Sequence, residues 1–233
     1  MNSSRKIAIT AGILLIIGMI TGMMSIAPAI DSPDYLNEAS ANAIQVQLSA
    51  FFQFIMAIVY FGVAITLYPF LKKYNEKLAL GFLSFRIIAT VFILVGVIIL
   101  LLLLSVSQDY VISGATDSQY FKLIGALLYA GRDLANHVVM IITLNIGWIM
   151  LFILLIQSRL LPVWLSSWGL AGATLTILAS LLILFNSIKV ITPIYIILNS
   201  PMAVQELTLA IWLIIKGFNS SVVTSNKVEK NRI

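Results

Sequence analysis

The sequence predicts an all-α integral membrane protein with six transmembrane helices and both termini in the cytoplasm. Three observations predict it: a composition too apolar for water, six apolar runs long enough to cross a bilayer, and basic residues gathered on one side. Hydrophobic residues make up 61% of the 233 and charged residues 10%, against about 45–50% and about 25% in a soluble domain. A domain of roughly this size still exposes about a quarter to a third of its chain's area when folded. So few charges cannot clothe that surface, and the solvent must itself be apolar.

A bilayer core about 30 Å thick takes about 20 apolar residues of helix. The first such run, residues 7–27, follows Arg5-Lys6. Its competitor is a secretory signal cleaved at Ala27-Pro28-Ala29. The apolar stretch exceeds the usual 7–15 residues of a signal core, and Gly18-x-x-x-Gly22 is a motif that lets a second helix approach closely. The first span is therefore expected to be retained, with Gly18 and Gly22 as helix-packing positions. Ser32-Pro33-Asp34 then reads as a helix start, with serine at the N-cap, proline at the first position and acids in the first turn. That helix is expected to run through Gln45 and Gln47 into the second span, 48–71. A tight link over 72–77 leads into the third span, 78–104.

A second projecting segment is expected ahead of the fourth span, 134–156. Tyr120, Phe121, Leu123, Ile124, Leu127 and Leu128 repeat at helical spacing before Gly131, the expected break. From Gln119 to Ile156 a helix would measure about 57 Å, nearly twice the membrane core, so it must break or project. After the link 157–162, Pro162 suits the first turn of the fifth span, 163–185, and Trp164 and Trp168 suit an interface. The sixth span, 201–215, is short unless 191–198 contributes. Residues 1–218 thus form a single six-helix transmembrane domain, and 219–233 a polar, basic, disordered tail.

Direction follows from the basic residues. With the amino terminus inside, the cytoplasmic side holds Arg5, Lys6, Lys72, Lys73, Lys77, Arg159, Lys216, Lys227, Lys230 and Arg232, and the outside only Lys122 and Lys189. Cytoplasmic loops carry this excess. Asp31, Asp34, Glu38, Asp109 and Asp117 fall outside. The net charge of +5 is thus an orientation signal and not a call for nucleic acid.

Four charges remain inside the membrane: Arg86, Arg132, Asp133 and Glu206. A charge at the bilayer centre costs about 2.5–3.5 kcal/mol on insertion scales, so the balanced set is expected to pair. Asp133 and His137, four apart, are expected to meet near the outer boundary, with Asp133 at the start of its helix. Arg86 lies about 12 Å above the inner edge and Glu206 about 9 Å below the outer edge. In a core about 30 Å thick that leaves about 9 Å along the normal, which the two side chains can cover. The third and sixth helices are therefore expected to be neighbours joined by an Arg86–Glu206 ion pair, with Gln53 and Asn145 completing its hydrogen bonds. Such a set reads either as a buried strut or as a polar ligand site.

The absence of cysteine and the single histidine exclude disulfides, thiolate and iron–sulfur centres, thiol nucleophiles and multi-histidine metal sites. No phosphate-binding loop, dinucleotide glycine fingerprint, H-E-x-x-H or G-x-S-x-G is present. No catalytic residue, metal or cofactor is assigned.

Several runs also carry a family resemblance. They are Leu67-Tyr68-Pro69-Phe70-Leu71-Lys72-Lys73, then Leu78-Ala79-Leu80-Gly81-Phe82 with Arg86, then Arg132-Asp133. Further on come Ser158-Arg159-Leu160-Leu161-Pro162-Val163-Trp164-Leu165 with Trp168-Gly169, and Gln205-Glu206 leading to Trp212-Leu213-Ile214-Ile215-Lys216-Gly217-Phe218. Together these resemble a bacterial membrane family catalogued as domain of unknown function 4386. The resemblance implies a multi-pass protein of the bacterial cytoplasmic membrane and no particular activity. The leading expectation is a non-enzymatic bundle, embedded in the lipid bilayer, with a polar, charge-paired site in its outer half that binds or passes a small or amphipathic molecule, a lipid included. The alternatives are an accessory subunit whose Gly18–Gly22 face docks a membrane-protein partner or a second copy, and an intramembrane enzyme using Glu206, Asp133 and His137.

Overall fold

The computed structural model describes residues 3–114 and 118–224. Every regular element among them is helical: α1 (Ser3–Met24), α2 (Tyr35–Ala41), α3 (Ala43–Leu71), α4 (Glu76–Ile112), α5 (Ser118–Asp133), a π-helical segment (Leu134–Val139), α6 (Met140–Ser158), α7 (Val163–Leu184) and α8 (Pro193–Ile215). Six helices are long and apolar enough to cross a membrane, one of them the continuous rod that joins α5, the π segment and α6. Within a membrane only structures that satisfy their own backbone are viable, and a run of Leu, Ile, Val, Ala and Phe does so as helix.

The spans close into a ring in chain order. α1 packs on α3, α3 on α4, α4 on α6, α6 on α7, α7 on α8, and α8 returns to α1. Small residues allow the closest approaches. A Cβ at Gly12 would lie 2.7 Å from the Ala210 carbonyl oxygen on α8, and one at Gly172 would lie 3.0 Å from Met202 Cα. Gly18 and Gly22 of α1 face Tyr60 and Met56 of α3, at 3.0 and 3.2 Å from where a Cβ would stand. That glycine face is therefore covered from within the chain, which removes it as the proposed docking face for a partner.

Even-numbered crossing brings both ends of the bundle's chain together. Arg5 donates to the carbonyls of Leu213 (3.2 Å), Ile214 (2.6 Å) and Ile215 (2.9 Å), the unpaired acceptors at the end of α8. A cation is favoured there because the helix dipole is negative at its C-terminus. Gly217 follows with φ +72°, a conformation side chains disfavour, and a Cβ on it would stand 2.8 Å from the Arg5 guanidinium. At the same end the Asn75 side chain caps α4 by accepting from the Leu78 amide (3.1 Å) and donates to Gln157 (3.1 Å), tying the two tight turns together.

The other end, here termed distal, projects further. α4 has 37 residues, or about 55 Å at 1.5 Å each, and the rod from Gln119 to Ser158 has 40. α5 and α2 both pack on the distal part of α4, over a small apolar core that includes Ile30, Ala39, Leu100 and Leu103.

Several expectations are corrected here. α2 starts at Tyr35 with Asp34, not Ser32, at its N-cap, and it stops at Ala41 instead of running into the second span. The Ser32 hydroxyl instead accepts from the Asp34 amide. The fourth span does not break at Gly131, because α5 passes through it and the irregularity falls at Leu134–Val139. The sixth span begins at Pro193 with Thr192 as N-cap and takes Pro201 into its interior. Proline removes one helix hydrogen bond, and the Ser200 hydroxyl donates to the freed Ile197 carbonyl (3.1 Å). The start of the tail packs back on the bundle: the Asn219 amide donates to the Leu160 carbonyl at 2.9 Å, and Val222 and Val223 pack on the core. Residues 225–233 and Asp117 lie outside the described residues.

Candidate functional site

The ring arrangement overturns one pairing outright. In a closed ring of six the third and sixth spans stand opposite, so α4 and α8 are not neighbours. Among the described residues the one ion pair is Arg132–Asp31, and Arg86 makes none with Glu206. Both charges nevertheless point inward: Arg86 is 0% exposed and Glu206 8%. The guanidinium carbon of Arg86 lies 4.3 Å from the Trp148 ring centroid and 5.3 Å from those of Tyr60 and Phe82. An aromatic face attracts a cation through its quadrupole. Tyr60 of α3 is thus one of three aromatic rings around the guanidinium. None of the Arg86 guanidinium nitrogens donates to a described residue, and Glu206 Oε1 has no partner among them. Asn145 and Gln53 do not serve this pair with hydrogen bonds: Asn145 donates to Ile141 of its own helix, and Gln53 lies elsewhere.

Gln53 belongs to a second polar region at the distal end. A cavity of about 690 Å³ opens there among the end of α1, α3, the fourth-span rod and the turn into α8. Its polar lining includes Asp31, Gln53, Tyr129, Arg132, Asp133, Asn136, His137 and Tyr195, and its apolar lining Ile26, Met56, Met140, Ile141, Val190 and Ile191. The π-helical segment explains how so many groups from one helix reach one space. Adjacent residues of an α-helix point about 100° apart, but the Met140 amide bonds the carbonyl of Ala135, five residues back. This wider turn brings Asn136 and His137 both to the cavity. Such bulges recur at functional sites.

The contacts differ from those the spacing suggested. Asp133 is inside a continuous helix, not at a start. His137 does not bond Asp133; its Nδ1 is 3.0 Å from the Tyr195 hydroxyl, with the rings edge-to-face at 5.9 Å. Arg132 Nη1 donates to Asp31 Oδ1 at 2.9 Å, joining the rod to the turn after α1. The Asp133 carboxylate accepts no hydrogen bond from a described residue, which leaves it open to the cavity it lines. Gln53 Nε2 donates to Asn136 Oδ1 (3.0 Å) and to the Ile93 carbonyl (3.2 Å). Gly96 gives these carboxamides their space, since a Cβ there would overlap Asn136 and lie 2.7 Å from Gln53 Nε2.

Glu206 does not line this cavity. It lies 11 residues beyond Tyr195 on α8, about 16 Å along the helix. Glu206, Asp133 and His137 thus do not form one catalytic group, and among the described residues no three His, Asp or Glu side chains gather to hold a metal. Sequence reasoning placed Arg132, Asp133 and His137 at the distal boundary but missed Asp31, Tyr195, Tyr60 and Trp148. Tyr195 carried the one available signal, a hydrogen-bonding aromatic just inside a Thr-Pro helix start.

A family model described as domain of unknown function DUF4386 matches residues 10–217. The chain belongs to that family. No curated protein and no solved structure matches it.

Proposed function

We propose that this member of the family is a non-enzymatic protein of the bacterial cytoplasmic membrane, whose distal cavity binds or passes a small amphipathic molecule. Both termini are cytoplasmic in this reading, so the cavity faces outward; the charge asymmetry of the loops supports it. The observation that carries the reading is the cavity of about 690 Å³, lined by an ion pair, an open carboxylate and a histidine–tyrosine contact together with methionine and isoleucine side chains. That volume lies within the roughly 300–1,000 Å³ of small-molecule sites, which combine apolar walls with a few placed polar groups. Methionine adapts to varied apolar shapes.

The chain has no cysteine, so single-cysteine variants report without background. In intact cells a membrane-impermeant maleimide is expected to label Met140→Cys in the cavity and Lys189→Cys beside it. Lys73→Cys is expected to react only after permeabilisation. Dodecyltrimethylammonium, a small amphiphile, is expected to slow labelling of Met140→Cys several-fold and to leave Lys189→Cys unchanged. Unreactive Met140→Cys, or labelling indifferent to amphiphiles of either charge, contradicts a ligand cavity.

A further inference from the structure

A second recess lies at the opposite end of the molecule and does not depend on the distal cavity. Two segments some fifty residues apart in the chain meet there, Arg159 to Val163 and Trp212 to Ser220. They enclose about 500 Å³. A backbone bond holds them together, with the Asn219 amide donating to the Leu160 carbonyl at 2.9 Å. Arg159 and Lys216 line the recess, and among the described residues no carboxylate does. Arg159 adopts φ 53°, a left-handed conformation that glycine fills at less cost than any side chain. Its exposed side chain therefore stands at a position where the backbone alone would favour its loss. The Lys216 ammonium sits 4.4 Å over the Trp212 ring, which meets Trp164 edge-to-face at 6.1 Å. α7 opens on this recess with no side chain capping its first turn, an end where the helix dipole favours an anion.

The recess also adjoins hydrocarbon. Val163, Trp164, Ile211 and Ile215 are exposed on the membrane-facing surface of α7 and α8 next to it. Two cations and tryptophans above, with bare isoleucine and valine below, match one kind of molecule: an anionic head joined to an acyl chain. Basic recesses between spans favour anionic lipid headgroups on the same grounds.

We propose that this groove binds the phosphate headgroup of an anionic phospholipid, with Arg159 and Lys216 as its cation pair and its acyl chains along Ile211 and Ile215. The test uses the full chain in nanodiscs of phosphatidylcholine containing a minor fraction of phosphatidylglycerol, with native mass spectrometry reading which lipid stays bound. Wild type is expected to retain phosphatidylglycerol preferentially. R159Q with K216Q is expected to lower that preference by about twenty-five-fold, taking roughly fivefold for each basic residue near the surface. R159K with K216R keeps the charge and is expected to keep the lipid. K72Q with K73Q, at the same end but outside the groove, is expected to change little. The proposal is overturned if the double glutamine variant retains the lipid like wild type, or if the K72Q and K73Q pair loses it equally. Displacement by soluble glycerol phosphate at matched concentration also overturns it, because the groove would then hold a free phosphate and not a lipid.

Discussion

Glu206→Gln is expected to be more destabilising than Arg86→Met, although either change removes one member of the same buried set. The two charges face the axis from opposite helices, and each is the nearest opposite charge the other has at that depth. They make no ion pair, so removing one costs less than the about 3–5 kcal/mol of breaking a buried pair in contact, but it still leaves the other charge uncompensated away from water. The asymmetry follows from chemistry. A glutamate left alone can take up a proton and become neutral, whereas an arginine cannot shed one. Glu206→Gln should therefore lower stability in chemical unfolding from detergent micelles by an amount below that range, and Arg86→Met should lower it less. The double variant carries no buried charge at this level, so the cost of an uncompensated charge is absent from it. It is expected to recover most of the loss. If the two single losses simply add in the double variant, the charges do not sense each other across the bundle.

The second large effect concerns ring closure. Gly12→Leu is expected to cost about 1–3 kcal/mol or more, the range for overpacking a tight interior contact. Its Cβ alone would stand 2.7 Å from the Ala210 carbonyl oxygen, and backbone cannot rotate away as a side chain can. Gly62→Ala is the matched control: its Cβ would meet Leu14 at an ordinary 3.6 Å. Alanine is favoured over glycine inside a helix by roughly 0.5–1 kcal/mol, so this change is expected to be neutral or mildly stabilising. Thermal unfolding of the two variants in the same detergent separates them. Equal losses would mean that α1 and α8 do not pack as closely as Gly12 requires.

The parts of the structure that could be read from the chain are those that depend on solvent. Twenty apolar residues in a row report a hydrocarbon surround whatever the neighbouring helices are, so the six spans emerge from the sequence. Packing between spans is a different matter. Arg86 and Glu206 could be placed about 9 Å apart in depth, because depth follows from counting residues along a helix. Their position around the bundle axis could not, and two charges within reach in depth can stand on neighbouring helices or face each other across the bundle. The π-helical turn was hidden for a related reason. Leu134-Ala135-Asn136-His137-Val138-Val139 contains neither glycine nor proline, so the break was sought at Gly131. The i to i+4 rule that joined Asp133 to His137 assumes an α-helix, and the wider turn sends His137 to Tyr195. Asp31 looked like one more acid in a polar turn, since no spacing rule links it to Arg132 about a hundred residues away.

The central claim is that the charged distal cavity holds a ligand and is not merely a polar strut. An experimentally determined map of the purified protein in lipid nanodiscs tests it most directly. The account predicts elongated non-protein density inside the cavity, against its methionine and isoleucine side chains and reaching the Asp133 carboxylate, with the Arg132–Asp31 bridge intact. A cavity closed by side chains, with Asp133 bonded to Arg132 or His137 and no room between the walls, would contradict the account.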